Sequence, residues 1–166
     1  MTDQIQQSAS QTLMHAMRLD DASVAAIKDL VTQHTDEYVT TFFNHLSGLD
    51  EARPLLATPA IAARARQLKS EHLVAMVQGD YGAKYVEQRL ELGSLYARAG
   101  LDPRVFLGAF HQLLRQIGVA VMKKFERTSV EGFENFMSLK KVAFFDIGTR
   151  PARIAVISWG GSQPEY

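Results

Sequence analysis

The stretch YVEQRLELGSLYARAGLDPRVFLGAF, residues 85–110, reads as one helix, a tight break and the start of a second helix. Tyr85, Leu92 and Tyr96 stand at i, i+7 and i+11, one face of a 3.6-residue period, with Gly93 on the same stripe. Gly100 is the residue type that best tolerates the left-handed conformation ending a helix. Asp102-Pro103 then supplies a start signal, the carboxylate at the N-cap and the proline at the first helical position. Tyr96 therefore belongs on the last turn of an inward-facing helix, immediately before a corner.

Working outward, the chain before this corner divides into helical patterns. Asp20-Asp21 offers an N-cap for an amphipathic helix carrying Val24, Ile27, Leu30, Val31 and His34. Thr35-Asp36 restarts the pattern for Tyr38, Phe42, Phe43 and Leu46, which ends at Gly48. Leu49 to Leu56 reads as a short irregular or helical connection broken by Pro54. Thr58-Pro59 opens a long helix through Val77, and Gly79 and Gly82 punctuate the passage into the corner helix. Residues 1–19 form an extension whose sparse apolar positions, Ile5, Leu13, Met14 and Met17, predict a short extra helix.

After Pro103 the period holds through Phe106, Phe110, Leu113, Leu114, Ile117, Val121 and Phe125, about six turns. Ser129 is the expected N-cap of a last helix carrying Phe133, Phe136, Met137, Leu139, Phe144 and Phe145. No alternating strand pattern precedes residue 150. Residues 149–166 differ in kind: Pro151 stops the helix and Ile154–Trp159 has extended propensity with no partner strand. This irregular tail is expected to be the ending of a truncated or frameshifted longer chain, with a natural C-terminal arm as the alternative. The fold class is all-α, six to eight helices, with 20–148 as the principal domain.

Composition bounds the function. The 166 residues carry 18 basic and 18 acidic side chains, so no electrostatic footprint for nucleic acid or an anionic membrane exists. The absence of cysteine excludes disulfides, iron–sulfur clusters and thiol catalysis. The N-terminus shows no signal peptide and no apolar run reaches the ~20 residues that span a bilayer, so a cytoplasmic location is expected. Histidines 15, 34, 45, 72 and 111 make no helical metal pair. His72 is expected to face inward, as a packed core residue rather than a ligand, and His111 to be exposed. Glu87, Glu91 and Arg98 read as a solvated helix face. No nucleophile elbow, phosphate loop or carboxylate pair is present, which leaves an enzyme without support.

The run from Gly93 to Phe110 resembles the sensor-globin (protoglobin) family of globin-coupled sensors. Gly93, Arg98, Gly100, Leu101, Pro103, Phe106, Gly108, Ala109 and Phe110 fit its corner signature without a gap. Glu71-His72-Leu73 and Gly79-Asp80-Tyr81 resemble the family's helix before the corner. Thr41-Phe42-Phe43-Asn44-His45-Leu46 resembles its second helix. The resemblance implies a globin-like fold over about residues 20–148 and a haem held by a proximal histidine. This chain departs at two haem-contacting positions: Tyr96 stands where the histidine is expected, and Phe43 where a distal tyrosine is usual.

Two readings of the pocket follow. Tyr96 can ligate haem iron as phenolate if a cation lowers its ordinary pKa of about 10, and Arg89, seven residues earlier on the same stripe, is the candidate. Alternatively Tyr96 fills part of the haem space, and Phe42, Phe43, Phe106 and Phe110 fill the rest, with His72 also facing the pocket. The resemblance implies a sensory domain with altered or lost haem binding, dimerising through its last two helices and controlling a fused or separate output domain. A gas sensor with Tyr96 as its iron ligand, and a helical interaction module without ligand, are the alternatives.

Overall fold

In the computed structural model, residues 24–149 are described throughout, preceded by residues 8, 11, 12, 14–16 and 18. Among these all regular structure is helical. A 3-10 turn, Ala25–Ile27, leads into α1 (Lys28–Gln33) and α2 (Thr35–Ser47); a second 3-10 turn, Asp50–Ala52, leads into α3 (Arg53–Leu56). The long helices follow: α4 (Pro59–Met76), α5 (Ala83–Arg98), α6 (Pro103–Lys124) and α7 (Ser129–Thr149). Within the extension, residues 8, 11, 12 and 14–16 are helical, and the Arg18 carbonyl accepts from Lys141 Nζ at 3.5 Å. Asp20-Asp21, the side chains of residues 145 and 147–149, and the tail from Arg150 lie outside the described residues.

The corner is built as its residue types dictate. Gly100 has φ +72, and its N–H donates to the Ala97 carbonyl at 3.1 Å while that of Leu101 reaches back to Tyr96 at 3.0 Å. These two bonds satisfy carbonyls that the end of α5 leaves without helical donors. Asp102 then caps α6, its carboxylate accepting the Arg104 N–H at 2.8 Å. The Arg104 side chain holds the same carboxyl down, to about 2.

Four local expectations are corrected. Pro54 does not break the 49–56 connection; it sits in the first turn of α3, where a missing N–H is harmless. His34 is exposed, 3.4 Å from Glu37, and the inner place is taken by Thr35, whose hydroxyl donates to the Val31 carbonyl at 2.9 Å. Ser129 is the first helical residue of α7, because the Thr128 carbonyl accepts the first bond, from Gly132. Finally α6, at 22 residues, is long and apolar enough by length and composition to cross a bilayer. Here its face Phe106, Ala109, Phe110, Leu113, Ile117 and Val121 lies in the core.

The packing runs α2 against α6, α4 against α5 and α6 against α7, with α4 also meeting α2. Phe42, Phe43, Leu46, Leu55, Leu92 and Leu113 are fully enclosed where these layers meet. The outer faces of α6 and α7 are different. Val130 is 74 % exposed, Phe133 52 % and Phe144 56 %, beside the exposed Leu107, Val119, Met122 and Met137.

Candidate functional site

Tyr96 points into the centre of the domain and is almost fully buried. Its ring centroid lies 5.7 Å from that of Phe106 on α6 and 6.4 Å from that of Phe42 on α2. Phe42 in turn meets Phe43 edge-on at 5.2 Å and Phe106 at 6.0 Å, and Phe106 stacks on Phe110 at 5.5 Å. These are contact distances between aromatic rings. From α4, Lys69 enters the same cluster with no exposed surface. Its Nζ stands 4.4 Å from the centroids of both Phe42 and Phe110 and 5.7 Å from that of Phe106. The electron-rich ring faces attract the ammonium in surroundings that exclude water.

A second buried cluster adjoins the first. His72, one turn after Lys69, stacks on Phe110 at 6.3 Å with planes 9° apart, and its Nε2 is 2.5 Å from Asp146 Oδ2 on α7. Tyr85 on α5 donates its hydroxyl to the same carboxylate at 2.9 and 3.0 Å. Burial first, and then the Asp146 charge, push the Tyr85 phenol well above its usual range. Arg89 lies over the Tyr85 ring at 5.2 Å, wholly buried, and its guanidinium finds no hydrogen-bond acceptor among the described residues. Burial lowers its pKa, while Asp146, Tyr85 and Tyr96 oppose that shift. Outside Tyr85 an open groove of about 460 Å³ runs between α4 and α5, lined by Glu71, Val74, Lys84 and Gln88 among others.

The helix–corner–helix run that resembles the protoglobin family is present in the fold, and that family's profile matches residues 6–148. The chain belongs to the protoglobin family. Its globin-like, all-α fold is the family's fold. A curated relative, the heme-based aerotactic transducer HemAT of Halobacterium salinarum, is 30% identical over 90 residues, 54% of this chain. The protoglobin chain matches only 18% of that relative's length.

Within this protoglobin domain Tyr96, Phe42, Phe43, Phe106, Phe110, His72 and Arg89 are all buried, and they fall into the two adjoining clusters just described. Phe43 lies at the rim of the first, under the Arg66 guanidinium at 4.5 Å. His111 is exposed and apart from both. Sequence reasoning missed Lys69 and Asp146. The signal for Lys69 was its spacing: Ala65, Lys69, His72 and Met76 fall at i, i+4, i+7 and i+11 and are all buried. Asp146 carried no such signal, because its partners come from two other helices.

Haem is the cofactor that the family implies, and the residues can be tested against it. One half of the chemistry is present: Tyr96 is an oxygen donor at the position that the resemblance gives to the iron ligand. Arg89 is close enough to feel its charge. The space is not. Phe42, Phe106, Phe110 and Tyr96 already touch one another, and the Lys69 ammonium occupies the ring faces against which a porphyrin would stack. In this arrangement the residues do not fit haem.

Proposed function

We propose that this protoglobin domain is a sensory module of the globin-coupled sensor type whose haem site has been refilled by its own side chains. The observation that carries the reading is the contact between the rings of Tyr96, Phe42 and Phe106 with the Lys69 ammonium among them. The relative of H. salinarum, named as a heme-based transducer, supports the sensory assignment, and its much greater length supports an output domain fused to or partnered with such a module. A cytoplasmic setting suits that role. The absorbance spectrum of the purified protein, before and after equimolar haem is added, tests the reading. It requires no stoichiometric Soret band; a sharp one-to-one Soret maximum overturns it.

The module signals as a homodimer through α6 and α7. Apolar side chains crowd the outward faces of these helices, and an apolar groove of about 750 Å³, lined by Val119, Met122, Phe133 and Phe136 among others, lies between them. A second, of about 430 Å³, lies beside it with Leu107, Leu114 and Phe144 in its wall. Contiguous exposed apolar surface of this kind is characteristic of an interface.

A second reading has its own support: haem bound through a Tyr96 phenolate. The buried Arg89 guanidinium beside Tyr96 would stabilise that anion. The same spectrum separates the two, since phenolate ligation gives a ferric charge-transfer band that Tyr96→Phe abolishes.

A further inference from the structure

The haem-free reading leaves open what keeps the pocket shut. The two departures visible in the sequence, Tyr96 and Phe43, do not by themselves do so. An aromatic residue at either place is compatible with a porphyrin packed against it, and Phe43 sits at the rim, 5.2 Å from Phe42 under Arg66. The residue that reaches the middle is Lys69. It comes from α4, and its Nζ lies against Phe42 of α2 and Phe106 and Phe110 of α6, so one charge draws together rings from two helices. The side chain is entirely buried.

We infer that Lys69 is the plug of this site, the residue that excludes porphyrin by occupying the faces of Phe42, Phe106 and Phe110. Two physical effects act together. The aliphatic stem fills volume that a flat macrocycle would need. The ammonium repels the positive centre of a ferric haem, and in a water-excluded interior that repulsion is poorly screened. Tyr96, across the cluster, is then a wall of a filled cavity. The inference rests on the haem-free reading of the domain and adds the residue responsible for it.

The experiment titrates ferric haem, and separately metal-free protoporphyrin IX, into the full chain and into Lys69→Leu, Lys69→Met, Tyr96→His and Lys69→Leu/Tyr96→His. Metal-free porphyrin reports space alone, by fluorescence; ferric haem reports space and ligation together, by absorbance. Circular dichroism confirms that each variant is folded; the Met variant keeps the stem's length and removes only the charge, so it isolates the electrostatic effect. The plug requires Lys69→Leu, which shortens the stem, to bind metal-free porphyrin at least about tenfold more tightly than wild type, or, where that variant is unfolded, Lys69→Met to gain ferric haem affinity by the same factor through loss of the charge. It also requires Tyr96→His alone to gain less haem affinity than the double variant, which should show a histidine-ligated ferrous–CO spectrum. Absence of that gain, or Tyr96→His binding as well as the double variant, overturns the plug and leaves the haem-free reading standing. One-to-one haem binding by wild type overturns the haem-free reading itself. A low-spin wild-type spectrum that vanishes in Lys69→Leu would make Lys69 an iron ligand instead, and overturn both.

Discussion

His72 Nε2 and Asp146 Oδ2 meet 2.5 Å apart in the interior, joining residues 74 positions apart in the chain. Both side chains are closed to solvent, and Tyr85 donates to the same carboxylate. One acidic group on α7 is thus held by α4 and α5 at once, and it lies three residues before the end of that helix. The ring of His72 stacks on Phe110, which also stacks on Phe106. The central ring cluster and the end of the last helix are therefore in continuous contact.

Removing this carboxylate should be among the most damaging single changes. Asp146→Leu leaves a buried imidazole and a buried phenol without their shared acceptor, a loss of about 3–5 kcal/mol. Asp146→Asn keeps an acceptor for Tyr85 and should lose distinctly less. Urea unfolding of the two variants checks the order, and equal losses would mean that the acceptor kept by Asn contributes nothing and that the charge, which both variants lose, carries the whole effect.

Stability should fall in alkali through Tyr85. Its folded pKa is raised above the unfolded value, so protonated phenol is favoured by folding. The contribution is fully present below about pH 10 and is lost as pH rises beyond it, at ~1.4 kcal/mol per pH unit for this group. Tyr81, whose hydroxyl donates to the Met76 carbonyl at 2.8 Å, is shifted the same way. Denaturant midpoints measured from pH 8 upward should decline less steeply in Tyr85→Phe than in wild type.

Two helix glycines should respond differently to alanine. A Cβ on Gly132 would stand 2.6 Å from the Cβ of Phe125, an atom fixed by its own backbone. Gly132→Ala should therefore lose about 1–3 kcal/mol despite the better helix propensity. A Cβ on Gly118 would meet only the ring tip of Phe136, at 2.9 Å, and that ring is half-buried beside an open groove. There the ring can tilt away, and the propensity gain of about 1 kcal/mol should bring Gly118→Ala near neutral. Thermal midpoints decide between them.

Self-association should depend on the aromatic face of α7. Phe133 and Phe144 are each more than half exposed. Phe133→Glu places a charge in the centre of the proposed interface and should weaken dimerisation by about 2 kcal/mol or more, the range of a central aromatic anchor. The monomer should stay folded, since Phe133 lies outside the buried core. Sedimentation velocity of wild type and variant at matched micromolar concentrations is the measurement; a monomeric wild type would refute the dimer outright.

Much of this architecture is local and was legible without coordinates. Gly100, Asp102 and Pro103 act through their own backbone preferences, so the corner and the start of α6 follow from residue type alone. The inward face of α5 followed from spacing in the same way, and with it the burial of Tyr85, Arg89, Leu92 and Tyr96. Where neighbours compete for one place, local signals misled: His34 was assigned the inner position that Thr35 takes, because the chain turns between α1 and α2 at that point.

What only the tertiary structure decided is where the buried charges go. Spacing puts position 69 on the inward stripe of its helix, but residue type argues against it, since burying an ammonium is unfavourable unless something compensates it. Phe42 and Phe110, contributed by helices on either side of α4 in the sequence, supply part of that compensation. Asp146 is the same case, defined by His72 and Tyr85. Periodicity can place a side chain on a face, but the free energy of a charge on that face depends on what other helices bring opposite it. The sequence by itself determined the helices, their corner and the inward tyrosine. Only the fold determined that a lysine joins the aromatic rings in the space in front of it.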